Sequence, residues 1–112
     1  MDFKEQSREA KERSMKLAQA APDVMKAFGA LHDAAAKERA LNAKTKELIA
    51  LALSVAAHCI PCITAHVGAA IRAGVTREEV AEAIEIAVLM GGGPGLSYGA
   101  MALEAWDQLS AK

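Results

Sequence analysis

From Leu48 to Ala57 the chain reads Leu-Ile-Ala-Leu-Ala-Leu-Ser-Val-Ala-Ala, with Ser54 the single polar residue. Coiled into a helix, this segment is apolar on every side, which predicts a helix buried all round at the centre of the fold. The chain has 112 residues, of which 53% are hydrophobic, so it is too short to enclose such a helix and bury everything else as well. The surplus predicts contact with further copies of the same chain. Alanine supplies 26 residues, nearly a quarter of the total. It is the strongest helix former and lets helices approach closely. No stretch of four or more residues alternates as a strand, so the expected fold is all-α, a single domain over residues 1–112 with about six helices.

Helix signals divide the chain. Phe3 to Ala20 is strongly charged and reads as a solvated outer helix. Pro22 can occupy the first turn of a second helix reaching about Ala36, with Val24, Met25, Phe28 and Leu31 along it. Asn42 can cap a third. Pro61 stands where a fourth should begin and Gly74 where it should end. Thr76 with Glu79 forms a capping-box pair for a fifth helix running to about Met90, and Leu96 to Leu109 reads as a sixth. The intervening Gly91-Gly92-Gly93-Pro94-Gly95 lacks the Gly-Lys-Ser/Thr of a phosphate loop and follows no strand, so it reads as a helix break.

Several function classes are excluded by composition. Lys plus Arg number 13 against 14 Asp plus Glu, a net charge of −1, which provides no electrostatic footprint for nucleic acid or an anionic membrane. The window from Leu48 to Val67 is long enough to span a bilayer, but His58, Pro61 and His66 interrupt it. The first residues are charged and lack the apolar run of a secretory signal. The two cysteines lie three apart, a spacing suited to redox or metal chemistry rather than to stapling a secreted scaffold, and the cytoplasm is the expected compartment.

The chemistry concentrates in Ala57-His58-Cys59-Ile60-Pro61-Cys62-Ile63-Thr64-Ala65-His66. Cys59 and Cys62 are at i, i+3 and Cys62 and His66 at i, i+4, so a helix gathers them toward one face. A CxxC pair at a helix N-terminus meets unpaired backbone N–H groups and the positive end of the dipole, which favour thiolate over thiol. His66 adds a group able to move a proton near neutrality. Zinc is the competing reading, with Cys59, Cys62, His66 and Glu47 as possible ligands, but the chain has no further cysteine for a second knuckle, and His32 is distant in sequence. Glu47 reads either as a first-turn acid favoured by the helix dipole or as part of the same site.

Glu47, Cys59, Cys62 and His66 are spaced E-x11-C-x2-C-x3-H. In this the sequence resembles the alkyl hydroperoxidase D-like branch of the carboxymuconolactone decarboxylase superfamily, over roughly Pro22 to Trp106. The resemblance implies an all-helical fold, trimers or hexamers, and a thiol-dependent peroxidase or disulfide reductase that works through a redox-active Cys59–Cys62 disulfide with no bound cofactor or metal. It implies that Cys62 attacks the hydroperoxide, that Cys59 resolves the product, and that Glu47 and His66 form the proton relay. A dithiol, lipoyl or thioredoxin-like partner would restore the reduced pair. The chain departs from better-studied members at Pro61, where they carry a histidine; His58 instead precedes Cys59. Lactone decarboxylation, known elsewhere in the superfamily, has no use for a CxxC pair, and a non-catalytic redox-sensing module is the remaining alternative.

A length estimate orders the relay. At ~1.5 Å per residue Glu47 lies ~18 Å back from Cys59, and His66 ~7–8 Å beyond the turn at Pro61. If the two helices are antiparallel, Glu47 reaches His66 before either sulfur. Cys59, ahead of the helix proper, is expected nearer the mouth of the site than Cys62.

Overall fold

The computed structural model describes residues 1–111. Five helices form: α1 (Phe3–Ala20), α2 (Pro22–Ala36), α3 (Ala43–Ala56), α4 (Ile60–Arg72) and α5 (Arg77–Ser110). Their starts follow local capping chemistry. The side chains of Asp2, Asn42 and Thr76 accept backbone N–H bonds from Glu5, Thr45 and Glu79, and Pro22 fills the first turn of α2. No strand occurs among the described residues.

The sixth helix expected from the glycine run is the second arm of α5. Gly92 leaves the helical region, with φ 61° and ψ −139°, so the 34-residue element is two helices joined across a kink, and the break expected at the glycine run is present. A straight helix of that length would measure about 51 Å, against a longest molecular dimension of 37 Å. The element doubles back at Gly92, and Arg77 at its start meets Asp107 near its end, Nε to Oδ1 2.8 Å. Residues 77–91 and 93–110 therefore lie antiparallel. Glycine is required where they touch: a Cβ on Gly95 would stand 2.6 Å from the Ala87 carbonyl oxygen, and one on Gly99 would stand 2.6 Å from Ile84 Cγ2. By length and composition α5 is apolar enough to cross a membrane. Folded at Gly92, that length is divided between arms of 15 and 18 residues, and the second carries Pro94, Glu104 and Asp107.

The core lies among α3, α4 and α5. Leu51 and Val55 meet Ile63, Val67 and Ala70, and the arms of α5 add Val80, Ala87, Ala102, Ala105 and Trp106. Two expectations are corrected here. First, α1 is not merely a solvated outer helix, since Phe3 is fully buried and is the largest completely buried side chain. Its N–H donates to Gln108 Oε1 at 2.7 Å, and Gln108 Nε2 donates to the Met1 carbonyl at 2.8 Å. The anchoring contact is 105 residues away in sequence, beyond any local pattern. Second, α3 is not buried all round. Leu51, Ser54 and Val55 face the core, whereas Ile49 and Leu53 are 45% and 63% exposed. Helices α4 and α5 pack closely against one side of α3 only. On the other side, α2 buries none of its own residues and leaves Val24, Phe28 and Leu31 open.

Candidate functional site at the α3–α4 turn

The site is built on the reversal from α3 into α4. Helix α3 ends in a Schellman motif, with the His58 N–H donating to the Val55 carbonyl (3.1 Å) and the Cys59 N–H to the Ser54 carbonyl (3.2 Å). That motif places its penultimate residue in the left-handed region, and His58 has φ 56°. Its imidazole stacks on Tyr98 from α5, ring centroids 4.6 Å apart and planes 12° from parallel. Cys59 follows as the N-cap of α4, its Sγ accepting the Cys62 N–H at 3.2 Å, and Pro61 occupies the first turn. Pro61 lacks the N–H that a helix start leaves unpaired, so it suits this position.

Cys59 and Cys62 are joined as a disulfide, with Cα atoms 5.2 Å apart. Their exposure reverses the expected order: Cys62 is exposed and Cys59 half-buried. The reason is the turn itself. Cys59 is tied to α3 through its backbone and to α4 through its sulfur, while Cys62 projects outward from the first turn. No group of three or more His, Cys, Asp or Glu side chains among the described residues converges as a metal site.

One turn along α4 from Cys62, His66 Nδ1 lies 2.9 Å from Glu47 Oε2 on α3. The length estimate is borne out, since the antiparallel helices bring Glu47 to His66. Glu47 stands beyond the first turn of α3, where the helix dipole no longer explains it. An ionised carboxylate only accepts hydrogen bonds, so opposite one Nδ1 is the donor. The side chains are 27% and 16% exposed, which keeps the pair partly shielded from solvent.

Glu47 and His66 border a cavity of about 290 Å³, walled by Ala35, Ala36, Ile49, Ala50 and Leu53. His32 also lines it, although its sequence position showed no link to the site. What brings it there is a long-range contact: Lys46 Nζ donates to the carbonyls of Ala35 (2.9 Å) and Lys37 (2.5 Å), holding the C-terminal end of α2 over α3. No local signal around His32 could have revealed this.

The model of the carboxymuconolactone decarboxylase family matches residues 22–105. The chain belongs to that family. The match begins at Pro22 and takes in every residue of the α3–α4 site. A carboxymuconolactone decarboxylase family protein from Legionella pneumophila, crystallised in its apo form, superposes with a TM-score of 0.94 at 42% identity, covering 97% of each chain. An uncharacterised protein of Cupriavidus necator is 44% identical over 95 residues, 85% of this chain and 84% of that one. A protein of the cox locus of Paracoccus denitrificans, also uncharacterised, is 37% identical over 83 residues, 74% of this chain and 75% of its own. This carboxymuconolactone decarboxylase family member thus shares an all-helical architecture along nearly its whole length with a crystallised relative.

Proposed function

We propose that this protein is a thiol-dependent peroxidase and disulfide oxidoreductase, with Cys59 and Cys62 as its redox pair. The observation that carries the reading is the Glu47–His66 hydrogen bond, one helical turn from Cys62. In the reduced protein, His66 Nε2 takes the Cys62 proton while Glu47 steadies the resulting imidazolium. The Cys62 thiolate attacks the outer oxygen of a hydroperoxide, and the O–O bond breaks. The alcohol leaves with the proton from His66, and Cys62 becomes a sulfenic acid. Cys59 then attacks that sulfur, water departs and the disulfide forms. The exposure of Cys62 suits the sulfur that meets peroxide. The apolar cavity beside His66 suits an organic substituent on it.

A dithiol such as dihydrolipoamide, or a thioredoxin-like protein, restores the pair, as a reducing cytoplasm would supply. The open apolar residues of α2 and α3 support a symmetric trimer or hexamer in which a second copy covers them. The test is consumption of cumene hydroperoxide with a panel of thiol reductants. Turnover should vanish in Cys62→Ser, and dimedone should label Cys62 in Cys59→Ser. Label on Cys59 in Cys62→Ser with none on Cys62 would reverse the assignment, and an inert wild type with every reductant would end the peroxidase reading.

A further inference from the structure

On the side of α4 turned toward α1, Pro61, Ala65, Gly68 and Arg72 follow one another at helical spacing. Two adjoining depressions, of about 360 and 480 Å³, lie between the helices and share Ser7, Lys11, Thr64 and Ala65. They form one trough. It begins at Pro61, the residue before the exposed Cys62, and ends at Arg72, ~16 Å further along α4.

The charge of this trough is one-sided. Lys11 and Arg72 line it, and no acidic side chain does. Four surface cations outside the trough are held by acids: Arg8 by Glu5 and Glu12, Arg13 by Glu9, Lys44 by Glu79 and Arg77 by Asp107. Among the described residues neither Lys11 nor Arg72 has an acid within ion-pair distance. Arg72 also lies back over Gly68, where an added Cβ would stand 3.4 Å from Nη1. Its guanidinium is therefore turned toward the cysteine end of the trough.

We propose that, besides the dithiol or thioredoxin-like reductant above, the protein takes electrons from a second class of donor docked in the trough, a short peptide-like thiol bearing carboxylates, with Lys11 and Arg72 holding its carboxylates and its sulfur directed at Cys62; this rests on the disulfide oxidoreductase reading. An extended tripeptide is ~10 Å long and fits the trough. A neutral hydroperoxide would have no use for the two cations. The donor thiolate attacks the Cys62 sulfur, the bond to Cys59 breaks, and Cys59 leaves as a thiolate that takes a proton from water. A second donor thiolate attacks the donor sulfur of the mixed disulfide and releases Cys62 as a thiolate. Two donor thiols have then become one disulfide, and their two electrons have reduced the protein.

The experiment measures reduction of the oxidised full-length protein, without oxygen or peroxide, by glutathione and by its diethyl ester, each rate normalised to that with dithiothreitol. Wild type should favour glutathione over the ester by about tenfold, as two exposed ion pairs of modest strength allow, and 0.5 M salt should compress the ratio. In Lys11→Gln/Arg72→Gln the ratio should fall to near one, and in Lys11→Glu/Arg72→Glu it should invert. A wild-type ratio near one, or a ratio untouched by both substitution pairs, overturns the proposal. Since no peroxide is present, failure of the peroxidase reading leaves this result intact. Equal rates with both donors alongside peroxide turnover on dithiothreitol would retire the trough and keep the peroxidase.

Discussion

Two chain reversals in this protein are built on the same hydrogen bonds from different materials. Where α4 ends, the Gly74 N–H donates to Ile71 and the Val75 N–H to Ala70, the same Schellman pattern that closes α3. The left-handed position is filled there by Gly74, φ 83°, and at the end of α3 by His58, φ 56°. The helices that follow differ in the same way. Thr76 caps α5 with a hydroxyl and completes a capping box with Glu79, whereas Cys59 caps α4 with sulfur, a weak acceptor. The first turn uses the residues that stabilise it best. The second accepts a strained histidine and a poor cap, and in return it carries the redox pair and a ring clamped on Tyr98. Strain of this kind concentrates where chemistry is positioned.

The largest effect expected is at the structural turn. No atom lies within 4 Å of a Cβ added to Gly74, so Gly74→Ala is opposed by backbone conformation alone and should lower stability by about 1–2 kcal/mol in urea unfolding. His58→Gly should behave oppositely, because relief of the same strain offsets the lost stack, leaving stability within about 0.5 kcal/mol of wild type. A drop as large as that of Gly74→Ala would show that the stack outweighs the strain.

Next, Thr76→Ala should cost about 1 kcal/mol. Cys59→Ala, compared with wild type after reduction, should cost only a few tenths, since a sulfur cap contributes less than an oxygen one. Equal losses would erase the contrast between the two caps. A double-mutant cycle across His58→Ala and Tyr98→Ala should return a coupling of about 0.5–1.5 kcal/mol, and additive losses would mean the rings only happen to lie parallel.

The smallest effect is one of pH. The Thr76 backbone N–H, helped by Lys44, holds the Glu79 carboxyl below its ordinary value. A carboxyl depressed by folding stabilises the native state above its unfolded value, and the contribution is lost as pH falls through the folded one. The stability gap between wild type and Glu79→Gln should therefore be full near neutrality and close as pH drops below the carboxylate range, in urea midpoints taken across pH. A gap independent of pH would mean the carboxylate's charge adds nothing to the cap.

What could be read beforehand follows the same division. Asn42, Pro61, Gly74 and the Thr76–Glu79 box announce helix ends by interactions within four residues, and all sit where expected. Glu47 and His66 were legible as a pair because two helices and one turn leave little freedom in how far each reaches. The misreadings concern distant partners. Neither the burial of Phe3 nor the approach of His32 has a local sign, and both depend on contacts from elsewhere in the chain. The left-handed backbone of His58 was hidden because the residue type argues against it. Only the Schellman bonds and the Tyr98 ring show why it is held.

The bend at Gly92 has a consequence for the order of assembly. Contacts between its two arms, such as Gly95 against Ala87, join residues eight apart, so this hairpin closes a short loop. Phe3 must instead find Gln108 across almost the entire chain. Local closure is fast and distant closure slow. The α5 hairpin should therefore be an early folding unit, with the amino-terminal helix docking last and its tie to Gln108 being the first to open when the native protein breathes.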